Sequence, residues 1–246
     1  MSLNNNASEI YSRQIMMKEI GAQGQRKLTD SSVLVVGCGG LGAPVLYYLA
    51  AMGVGRLGLC DFDVVSLSNL NRQILFAMDD LGMPKASAAE KRLLALNPSL
   101  KTTVYDRFFD GELASAIIPD YDIIVDCLDN FETRFILNDA CIAAGKPFVH
   151  AGIGEFYGQL LTVTPGTGPC LRCLFPGGNK KEPKKPFGVV GVTPGVIGSL
   201  QALEVLKYLI GLPVSNEGLV VYDGLNMRLE RGDLKASANC ICRVLG

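Results

Sequence analysis

The sequence lacks an excess of charge of either sign, and this absence excludes two classes of partner. Its 246 residues include 23 Lys and Arg and 24 Asp and Glu, which gives a formal net charge of −1. Proteins that bind nucleic acid usually carry a basic excess, and membrane-surface proteins usually carry a polybasic stretch. We therefore expect no nucleic-acid partner and no membrane partner.

Long apolar runs are also missing, although 48% of the residues are hydrophobic. No apolar stretch is long and uninterrupted enough to span a bilayer. The segment 1–8 is polar and rich in Asn, without the basic and apolar regions of a signal peptide. We expect a cytoplasmic protein whose eight cysteines serve as metal ligands, core residues or reactive thiols rather than disulfides.

Histidine is nearly absent, since His150 is the single one. It ends a short apolar segment, which favours a hydrogen-bonded histidine in the core. A Ser-His-Asp hydrolase would have to use this residue, and no G-x-S-x-G elbow accompanies it. The sequence therefore argues against a serine hydrolase.

Apolar strands alternate with helices over the first 150 residues. We predict strands over 32–36, 56–60, 102–105, 123–126 and 148–150, and helices over 7–20 (ended by Gly21), 43–52, 84–96, 112–118 and 131–144. Such alternation predicts an α/β, doubly wound, mostly parallel, Rossmann-like sheet. Beyond residue 152 we predict a C-terminal antiparallel extension with strands over 156–164, 219–222 and 227–231 and a helix over 196–210.

A glycine-rich turn follows the first strand directly and precedes a helix. Gly37, Gly39 and Gly42 satisfy G-x-G-x-x-G, with Gly40 between them. Glycines let the backbone approach phosphates, whose charge the helix N-terminus favours. Asp61 ends the second strand, where a carboxylate bonds a ribose hydroxyl. These features fit a dinucleotide and ATP equally well.

Two cations favour ATP. Arg72 ends the stretch that begins at Asp61, and Lys85 follows a little later. A nucleotide that loses pyrophosphate accumulates negative charge in the transition state, whereas a dinucleotide cofactor needs little neutralisation. Either cation alone is more often a solvated surface residue. Their joint appearance indicates a bound triphosphate.

A carboxylate after the fourth strand indicates a Mg²⁺ site. Asp129 and Asn130 lie at the predicted carboxyl edge of the sheet, whereas Asp126 falls within the strand. Mg²⁺ is usually held by few carboxylates together with phosphate oxygens. We predict that Asp129 binds Mg²⁺, and that Asn130 caps the following helix, contacts the nucleotide, or does both.

The cysteines fall into two sets. Cys38, Cys60, Cys127 and Cys141 lie in or beside apolar elements and are expected in the core. Two close pairs lie far apart in irregular regions, namely Cys170 with Cys173 and Cys240 with Cys242. Four thiolates form a typical closed structural Zn²⁺ site, although one residue between the second pair is an unusually tight spacing. A redox pair or free thiols are the alternatives.

Taken together and in order, these motifs resemble those of the MoeB/ThiF/HesA family, relatives of the ubiquitin-activating enzymes. The resemblance runs from Tyr11 to Cys242 and includes segments 11–15, 37–42, 61–73, 82–85, 127–130, 170–173 and 195–202. It implies one adenylation domain over 1–246. Within it the resemblance implies an N-terminal helical arm (1–30), a nucleotide-binding half (31–151), and a carrier-binding and zinc-site half (152–246) with a mobile crossover loop (176–190).

The resemblance also implies an activity and its residues. A homodimer would use MgATP to adenylate the C-terminal glycine of a ubiquitin-like sulfur carrier of the MoaD or ThiS type, ending in Gly-Gly. Arg13, Arg72, Lys85 and Asp129 would be catalytic, with Arg13 reaching the phosphates of the neighbouring subunit. No general base is needed, because a carboxylate is already ionised at neutral pH. The nucleotide-binding set would be Gly37, Gly39, Gly40, Gly42, Asp61, Asp63, Ser68, Asn69, Leu70, Asn71, Arg72, Gln73, Lys85, Asp129 and Asn130.

The crossover loop departs from the family pattern. Many relatives carry a cysteine there that links covalently to the carrier, but segment 180–188 contains none. We expect the reaction to stop at the acyl-adenylate, which a separate sulfur donor then attacks. The pathway served, whether molybdopterin, thiamin or another, stays open.

Two alternatives remain. Adenylation of a small-molecule or tRNA-attached carboxylate, as in threonylcarbamoyladenosine dehydratases, is compatible with the cysteine-free loop. An NAD-dependent dehydrogenase would explain the glycine turn and Asp61, but not Arg72, Lys85 or the cysteine pairs. A binding module without catalysis is disfavoured, because the charged residues that the resemblance requires are present.

Overall fold

The computed structural model describes residues 5–178 and 188–243. Within them the strands form one sheet, in the order β3-β2-β1-β4-β5-β6-β7-β8. The strands are β1 (Ser32–Val36), β2 (Arg56–Cys60), β3 (Lys101–Tyr105), β4 (Ile123–Asp126), β5 (Phe148–Gly154), β6 (Tyr157–Val163), β7 (Gly218–Asp223) and β8 (Arg228–Asp233). The α-helices are α1 (Asn5–Ile10), α2 (Ser12–Ile15), α3 (Gly21–Asp30), α4 (Gly42–Ala51), α5 (Lys85–Leu96), α6 (Gly111–Ile117), α7 (Phe131–Ala143), α8 (Leu171–Leu174) and α9 (Val192–Ile210).

The first five strands are parallel, as the alternating pattern predicts. β3, β2, β1, β4 and β5 pair in this spatial order, so the winding direction changes between β1 and β4. All residues of β1 and β4 are buried, because helices cover both faces of the sheet. The predicted doubly wound α/β fold is confirmed.

Two apolar layers hold the helices to the sheet. On one face α4, α5 and α9 pack against β1, β2 and β5, with Leu46, Leu93 and Val205 in the interior. On the other face α6 and α7 pack through Leu113 and Phe135. This two-sided core fixes the ends of the central strands, from which the site residues project.

The second half of the sheet is antiparallel, as predicted. β5 continues to Gly154, four residues beyond its predicted end, and turns through Glu155 and Phe156 into β6. Glu155 takes a positive φ of 49° in this tight connection. β6 pairs with β7 and β7 with β8, so the predicted terminal strand pair is confirmed.

The N-terminal prediction is wrong in detail. Instead of one helix over 7–20 ended by Gly21, α1 and α2 are short and Gly21 begins α3. The helix breaks at Tyr11, between α1 and α2, and the Tyr11 side chain is buried against Gly53. α3 escapes sequence analysis because it holds two glycines and buries little apolar surface besides Leu28.

The long C-terminal helix begins four residues before its predicted start. α9 starts at Val192 and carries Pro194 in its first turn, where the missing N–H would have no helical partner. It ends at Ile210 and is followed by Gly211, which adopts the left-handed conformation expected of a glycine that caps a helix C-terminus. Most of the predicted crossover loop, residues 179–187, lies outside the described residues. Among the described helices, none is both long and apolar enough to cross a membrane.

Candidate active site

A cleft of about 670 Å³ opens at the carboxyl edge of the parallel strands. Its floor consists of the ends of β1, β2 and β4 with the turns that follow them, and β5 and β6 form its far side. It therefore lies where the strand order reverses. Ligands of open α/β sheets bind at this point.

Two positions of the turn between β1 and α4 require glycine. Gly37 has a φ of +98°, and a Cβ there would lie 2.5 Å from the carbonyl oxygen of Cys127. A Cβ on Gly42 would lie 2.0 Å from the carbonyl oxygen of Gly37. Gly39 and Gly40 line the cleft with bare backbone beside the N-terminus of α4. This surface fits a phosphate group.

Asp61 braces the same turn. Its Oδ2 accepts a hydrogen bond from the Cys38 N–H at 2.7 Å, and its Oδ1 accepts one from the Asp63 N–H at 2.9 Å. Burial raises the pKa of Asp61, and these two hydrogen bonds oppose the rise. Each carboxylate oxygen keeps a further acceptor site, so Asp61 can shape the turn and still bond a ribose hydroxyl.

Two cations line the cleft beside the turn. The buried Lys85 places its Nζ 2.8 Å from Oδ2 of Asp63. Arg72 donates from Nη1 to the Ser68 carbonyl at 3.0 Å and to Oδ1 of Asn71 at 3.1 Å. Gln73 also lines the cleft and is buried, and its Oε1 has no partner among the described residues. Two cations, Arg72 and Lys85, and two carboxylates, Asp61 and Asp63, thus line the cleft beside the exposed glycine backbone.

Five residues of the predicted nucleotide set do not line the cleft. Four of them belong to a 3-10 turn over Leu67–Asn69 and the residues that follow it. Ser68 and Asn71 accept hydrogen bonds from Arg72, so they orient a cleft residue without reaching the cleft themselves. The five are Gly42, Ser68, Asn69, Leu70 and Asn71.

Asp129 and Asn130 line the cleft after β4. The Asn130 side chain accepts a hydrogen bond from the Thr133 N–H at 2.9 Å and so caps α7, as predicted. Asp129 is exposed and forms no ion pair with a described residue. Its carboxylate is therefore available to a cation in the cleft.

Arg13 lies far from this cleft within the same chain. It is exposed on α2, and its neighbour Gln14 bonds Gln25 and the Met52 carbonyl, just beyond the C-terminal end of α4. That end belongs to the amino edge of the sheet, opposite the cleft. Arg13 is accordingly absent from the cleft lining.

Four residues that line the cleft after β2 and β3 were not predicted from the sequence, namely Phe62, Arg107, Phe108 and Phe109. Phe62 and Phe108 form an edge-on pair with ring centroids 5.3 Å apart, and Arg107 lies beside them. A positional signal was available, because residues directly after a parallel strand lie at the carboxyl edge. The reasoning that places Asp61 and Asp129 at this edge also predicts that Phe62 and the segment 107–109 lie there.

Beneath the cleft lies a buried polar cluster that the sequence only partly predicts. His150 is a hydrogen-bonded core histidine, as expected, and its Nδ1 lies 2.6 Å from Oδ2 of Asp126. Arg134 approaches the same oxygen through Nε at 3.7 Å and donates to the Ala151 carbonyl at 2.9 Å. Burial lowers the pKa of His150, against the opposing effect of Asp126. The lowered pKa favours the neutral form of the histidine at pH 7.

The four cysteines of the two distant pairs come together. Their Sγ atoms all lie within 4.8 Å of one another, with Cys170 to Cys240 at 3.5 Å and Cys173 to Cys242 at 3.6 Å. In a tetrahedral site with Zn–S bonds of ~2.3 Å the sulfurs lie ~3.8 Å apart. The cluster can therefore hold a metal ion despite the tight spacing of its second pair.

The other four cysteines are buried, as predicted. Burial raises the pKa of the Cys38, Cys127 and Cys141 thiols well above the ordinary value, and it raises that of Cys60 to about 12. Such thiols stay protonated and unreactive at neutral pH. They pack as small apolar residues.

Comparison with known proteins gives a family match over most of the chain. The ThiF family model matches residues 11–244. The chain is 43% identical over 244 residues to the sulfur carrier protein adenylyltransferase of Thermus thermophilus, covering 94% of this chain and 88% of that protein. It is 42% identical over 248 residues to the SAMP-activating enzyme E1 of Haloferax volcanii, covering 98% and 91%.

A second group of relatives is longer. The chain is 47% identical over 236 residues to the adenylyltransferase and sulfurtransferase MOCS3 of Xenopus laevis, covering 93% of this chain but 52% of that protein. It therefore spans about half the length of these relatives. Among solved structures, Escherichia coli MccB with MccA-N7isoASN aligns at a TM-score of 0.85 and 25% identity, covering 97% of this chain and 75% of that one.

Proposed function

The chain belongs to the ThiF family, and from that premise we propose that it adenylates the C-terminal glycine of a ubiquitin-like sulfur-carrier protein. A carboxylate oxygen of the glycine attacks the α-phosphorus of ATP, the bond to the β,γ-phosphates breaks, and pyrophosphate leaves. The product is an acyl-adenylate. The observation that carries the proposal is the cleft, in which a glycine turn, two cations and an exposed carboxylate converge.

The cleft residues divide this work by chemistry. Backbone N–H groups at the start of α4 and the cations Arg72 and Lys85 neutralise the triphosphate and the departing pyrophosphate. Asp61 bonds the ribose, and Phe62 and Phe108 offer aromatic surface to the base. Because the attacking carboxylate is already ionised, catalysis needs positioning and charge neutralisation but no general base.

Asp129 fits a Mg²⁺ ion bound together with ATP. It is exposed to the cleft and lies across β1 and β4 from the glycine turn. Mg²⁺ supplies charge neutralisation at the phosphates and prefers a site of one or two carboxylates plus phosphate oxygens. Asp129 would hold the ion, and Asn130, which caps α7, would keep the carboxylate in place.

The cysteine cluster fits structural Zn²⁺. All four ligands are thiols, and three of them are buried, so the site offers no open position for a substrate. In the absence of metal, burial raises the pKa of Cys170 to about 12 and raises that of Cys242. A divalent cation reverses this preference by stabilising thiolates. Reduced thiols of this kind agree with the cytoplasmic location expected from the sequence.

Arg13 fits a role in a partner subunit. Its own cleft lies at the opposite edge of the sheet, so the arm of one subunit would supply Arg13 to the phosphates of the other. The proposal therefore includes a homodimer in which each site is completed in trans.

The absence of cysteine from segment 180–188 supports a reaction that ends at the acyl-adenylate. A separate sulfur donor would then attack the activated glycine. Trapping a thioester or acyl-disulfide between this chain and a carrier would refute this part of the proposal.

ATP–pyrophosphate exchange tests the main proposal. The purified chain is incubated with ATP, Mg²⁺ and labelled pyrophosphate, with and without ubiquitin-like proteins ending in Gly-Gly. We expect exchange that depends on one of these proteins and is lost when its final glycine is removed. Exchange supported only by a tRNA or a small carboxylic acid would instead identify the dehydratase-like alternative, and exchange with none of them would refute adenylation.

A further inference from the structure

The cleft extends beyond the space that a nucleotide occupies. Asp61, the glycine turn and Asp129 follow β2, β1 and β4, so a nucleotide bound to them covers these three strand ends. Gln159 lines the same cleft from β6, two strands beyond β4. Strands lie ~4.8 Å apart, which places Gln159 ~10 Å from the nucleotide half. This part of the cleft is left for the second substrate.

Strand register connects Gln159 to the buried cluster. Asp126 pairs with His150 across β4 and β5, and Gly152 pairs with Gln159 across β5 and β6. His150 and Gly152 lie two residues apart and so face the same side of the sheet. The Gln159 side chain lies over Gly152, and its Nε2 is 3.3 Å from Nε2 of His150. Asp126, His150 and Gln159 therefore form a continuous chain that ends in the cleft.

The charge of Asp126 determines which nitrogen of His150 carries the proton. The carboxylate also faces Arg134, so it acts as an acceptor and the Nδ1–H of His150 donates to it. A neutral imidazole then has a bare Nε2, which accepts. The atom of Gln159 that faces it is Nε2, a donor, so its carbonyl oxygen Oε1 must point away.

The groups around His150 favour this one protonation state of the imidazole and this one orientation of the Gln159 amide. Asp126 and Arg134 are the charged groups that face it, Phe175 covers it edge-on with ring centroids 6.4 Å apart, and the buried Cys141 thiol near Asp126 stays protonated. His150 has no exposed surface. No described residue donates a hydrogen bond to Oε1 of Gln159, which is half-buried at the cleft wall.

We propose that His150 is a positioning residue that fixes the amide of Gln159, so that Oε1 faces the cleft and accepts a backbone N–H from the C-terminal peptide of the carrier. This inference rests on the proposed function. Ionised phosphates and carboxylates only accept hydrogen bonds, so an oriented acceptor does not recognise them. An extended Gly-Gly tail lacks side chains, and its backbone N–H groups are the donors that a protein can read.

A substitution at Gly152 tests the proposal without changing either His150 or Gln159. A Cβ at this position would lie 3.1 Å from Nε2 and 3.3 Å from Cγ of Gln159, so Gly152→Ala displaces the flexible amide rather than backbone. Gln159→Ala removes the acceptor. His150→Leu removes the orienting group, and His150→Gln replaces it with an amide that can donate to Asp126 and accept from Gln159.

The experiment measures carrier-dependent ATP–pyrophosphate exchange, with the Gly-Gly protein that gives the fastest exchange with the unaltered chain. We expect three variants, Gln159→Ala, Gly152→Ala and His150→Leu, to raise KM for that protein ~3–10-fold, which corresponds to the loss of about one hydrogen bond. Their kcat and their KM for ATP should stay within about twofold of the values of the unaltered chain. His150→Gln should recover much of the loss. Thr102→Val, which deletes a hydrogen bond to Glu90 at 2.6 Å on the far edge strand, is the control and should change nothing.

The dependence of KM for the carrier on acid pH distinguishes this role from a purely structural one. Protonated His150 donates from Nε2, which turns the Gln159 amide and presents its NH₂ to the cleft. Because burial lowers the pKa of His150 from its ordinary value of about 6.5, we expect KM for the carrier to rise only below that pH in the unaltered chain and to stay flat in His150→Gln. Unchanged KM in both Gln159→Ala and Gly152→Ala would overturn this inference, while carrier-dependent exchange would leave the proposed function standing.

Discussion

Three aspartates at one edge of the sheet have three different environments. Asp61 accepts two backbone hydrogen bonds and shapes the glycine turn. Asp126 is fully buried between His150 and Arg134. Asp129 is exposed at the cleft. The residue type and its position after a strand are thus insufficient to assign a role. Burial and hydrogen-bond partners show that Asp61 stabilises a turn, that Asp126 is a charged group in the core, and that Asp129 is free to bind a cation.

The first prediction concerns Asp129. In Asp129→Asn we expect the ATP–pyrophosphate exchange rate to fall at least ~100-fold, because the neutral amide no longer holds the cation that offsets the phosphate charge. The melting temperature should stay within ~2 °C, since the side chain is exposed. Asp106→Asn, an exposed aspartate after β3 outside the cleft lining, is the matched control. An Asp129→Asn chain with normal exchange would rule out this role.

At the scale of elements, the turn from β1 into α4 is the most constrained segment of the site. The backbone of Gly37 and that of Gly42 approach each other so closely that a single Cβ cannot fit between them. Gly111 occupies the equivalent first position of α6, but a Cβ there meets no atom within 4 Å. The two helices therefore offer a direct comparison of the same substitution.

We expect Gly42→Ala to lower the free energy of unfolding by ~2–3 kcal/mol or more through forced displacement of the turn, and to weaken ATP binding. Gly111→Ala should leave stability unchanged or raise it by up to ~1 kcal/mol through reduced entropy of the unfolded chain. Urea unfolding and ATP titration measure both effects. Equal stabilities of the two variants would show that the turn can relax more easily than its geometry indicates.

At the scale of the whole molecule, the cysteine cluster joins distant parts of the chain. Cys170 and Cys173 follow β6, whereas Cys240 and Cys242 lie beyond β8. A bound metal would therefore fix the C-terminal segment against α7 and α8. The first turn of α7 lines the cleft, whereas α8 bonds to α7 further along the helix, at Asn138 and Asp139. None of the four cysteines lines the cleft, so such a metal would stabilise the scaffold without contacting the substrates.

We expect purified protein to contain about one zinc per chain, and removal of the metal to lower Tm by ~10 °C, since each 1 kcal/mol shifts Tm by ~2–4 °C at this size. Cys173→Ser should lose the metal and show the same shift. Cys141→Ala, a buried cysteine outside the cluster, should retain the metal. Metal analysis well below one zinc per chain would refute the site.

The proposed completion of the site by a second subunit also belongs to this scale. Arg13→Ala and Asp129→Asn chains should each be nearly inactive alone. When they are coexpressed in equal amounts, half of the dimers are mixed and each mixed dimer has one intact site, so about one quarter of the activity should return. Absence of recovery in verified mixed dimers would show that Arg13 does not act in trans.

The sequence by itself determined the fold class and most of the residues that line the cleft beside the glycine turn. Short-range patterns carry this information, because buried parallel strands read as apolar runs and phosphate-binding turns need glycine next to a strand. These patterns predict Gly37, Asp61 and Asp129 at one sheet edge, whereas Arg72 and Lys85 were predicted from their charge and from the family resemblance. The glycine-rich α3 and the broken N-terminal arm were not predicted, because Leu28 is the only large apolar residue that α3 buries and Tyr11 of the arm packs against Gly53.

The tertiary structure alone decided how residues far apart in sequence combine. It brought Gln159 to His150 and Asp126 through strand register, and it separated Arg13 from the cleft of its own chain. It also gathered four thiols from two distant pairs within 4.8 Å, where spacing alone left zinc and free thiols open. Such contacts depend on which strands are neighbours and on which face each side chain lies, and local sequence does not encode them.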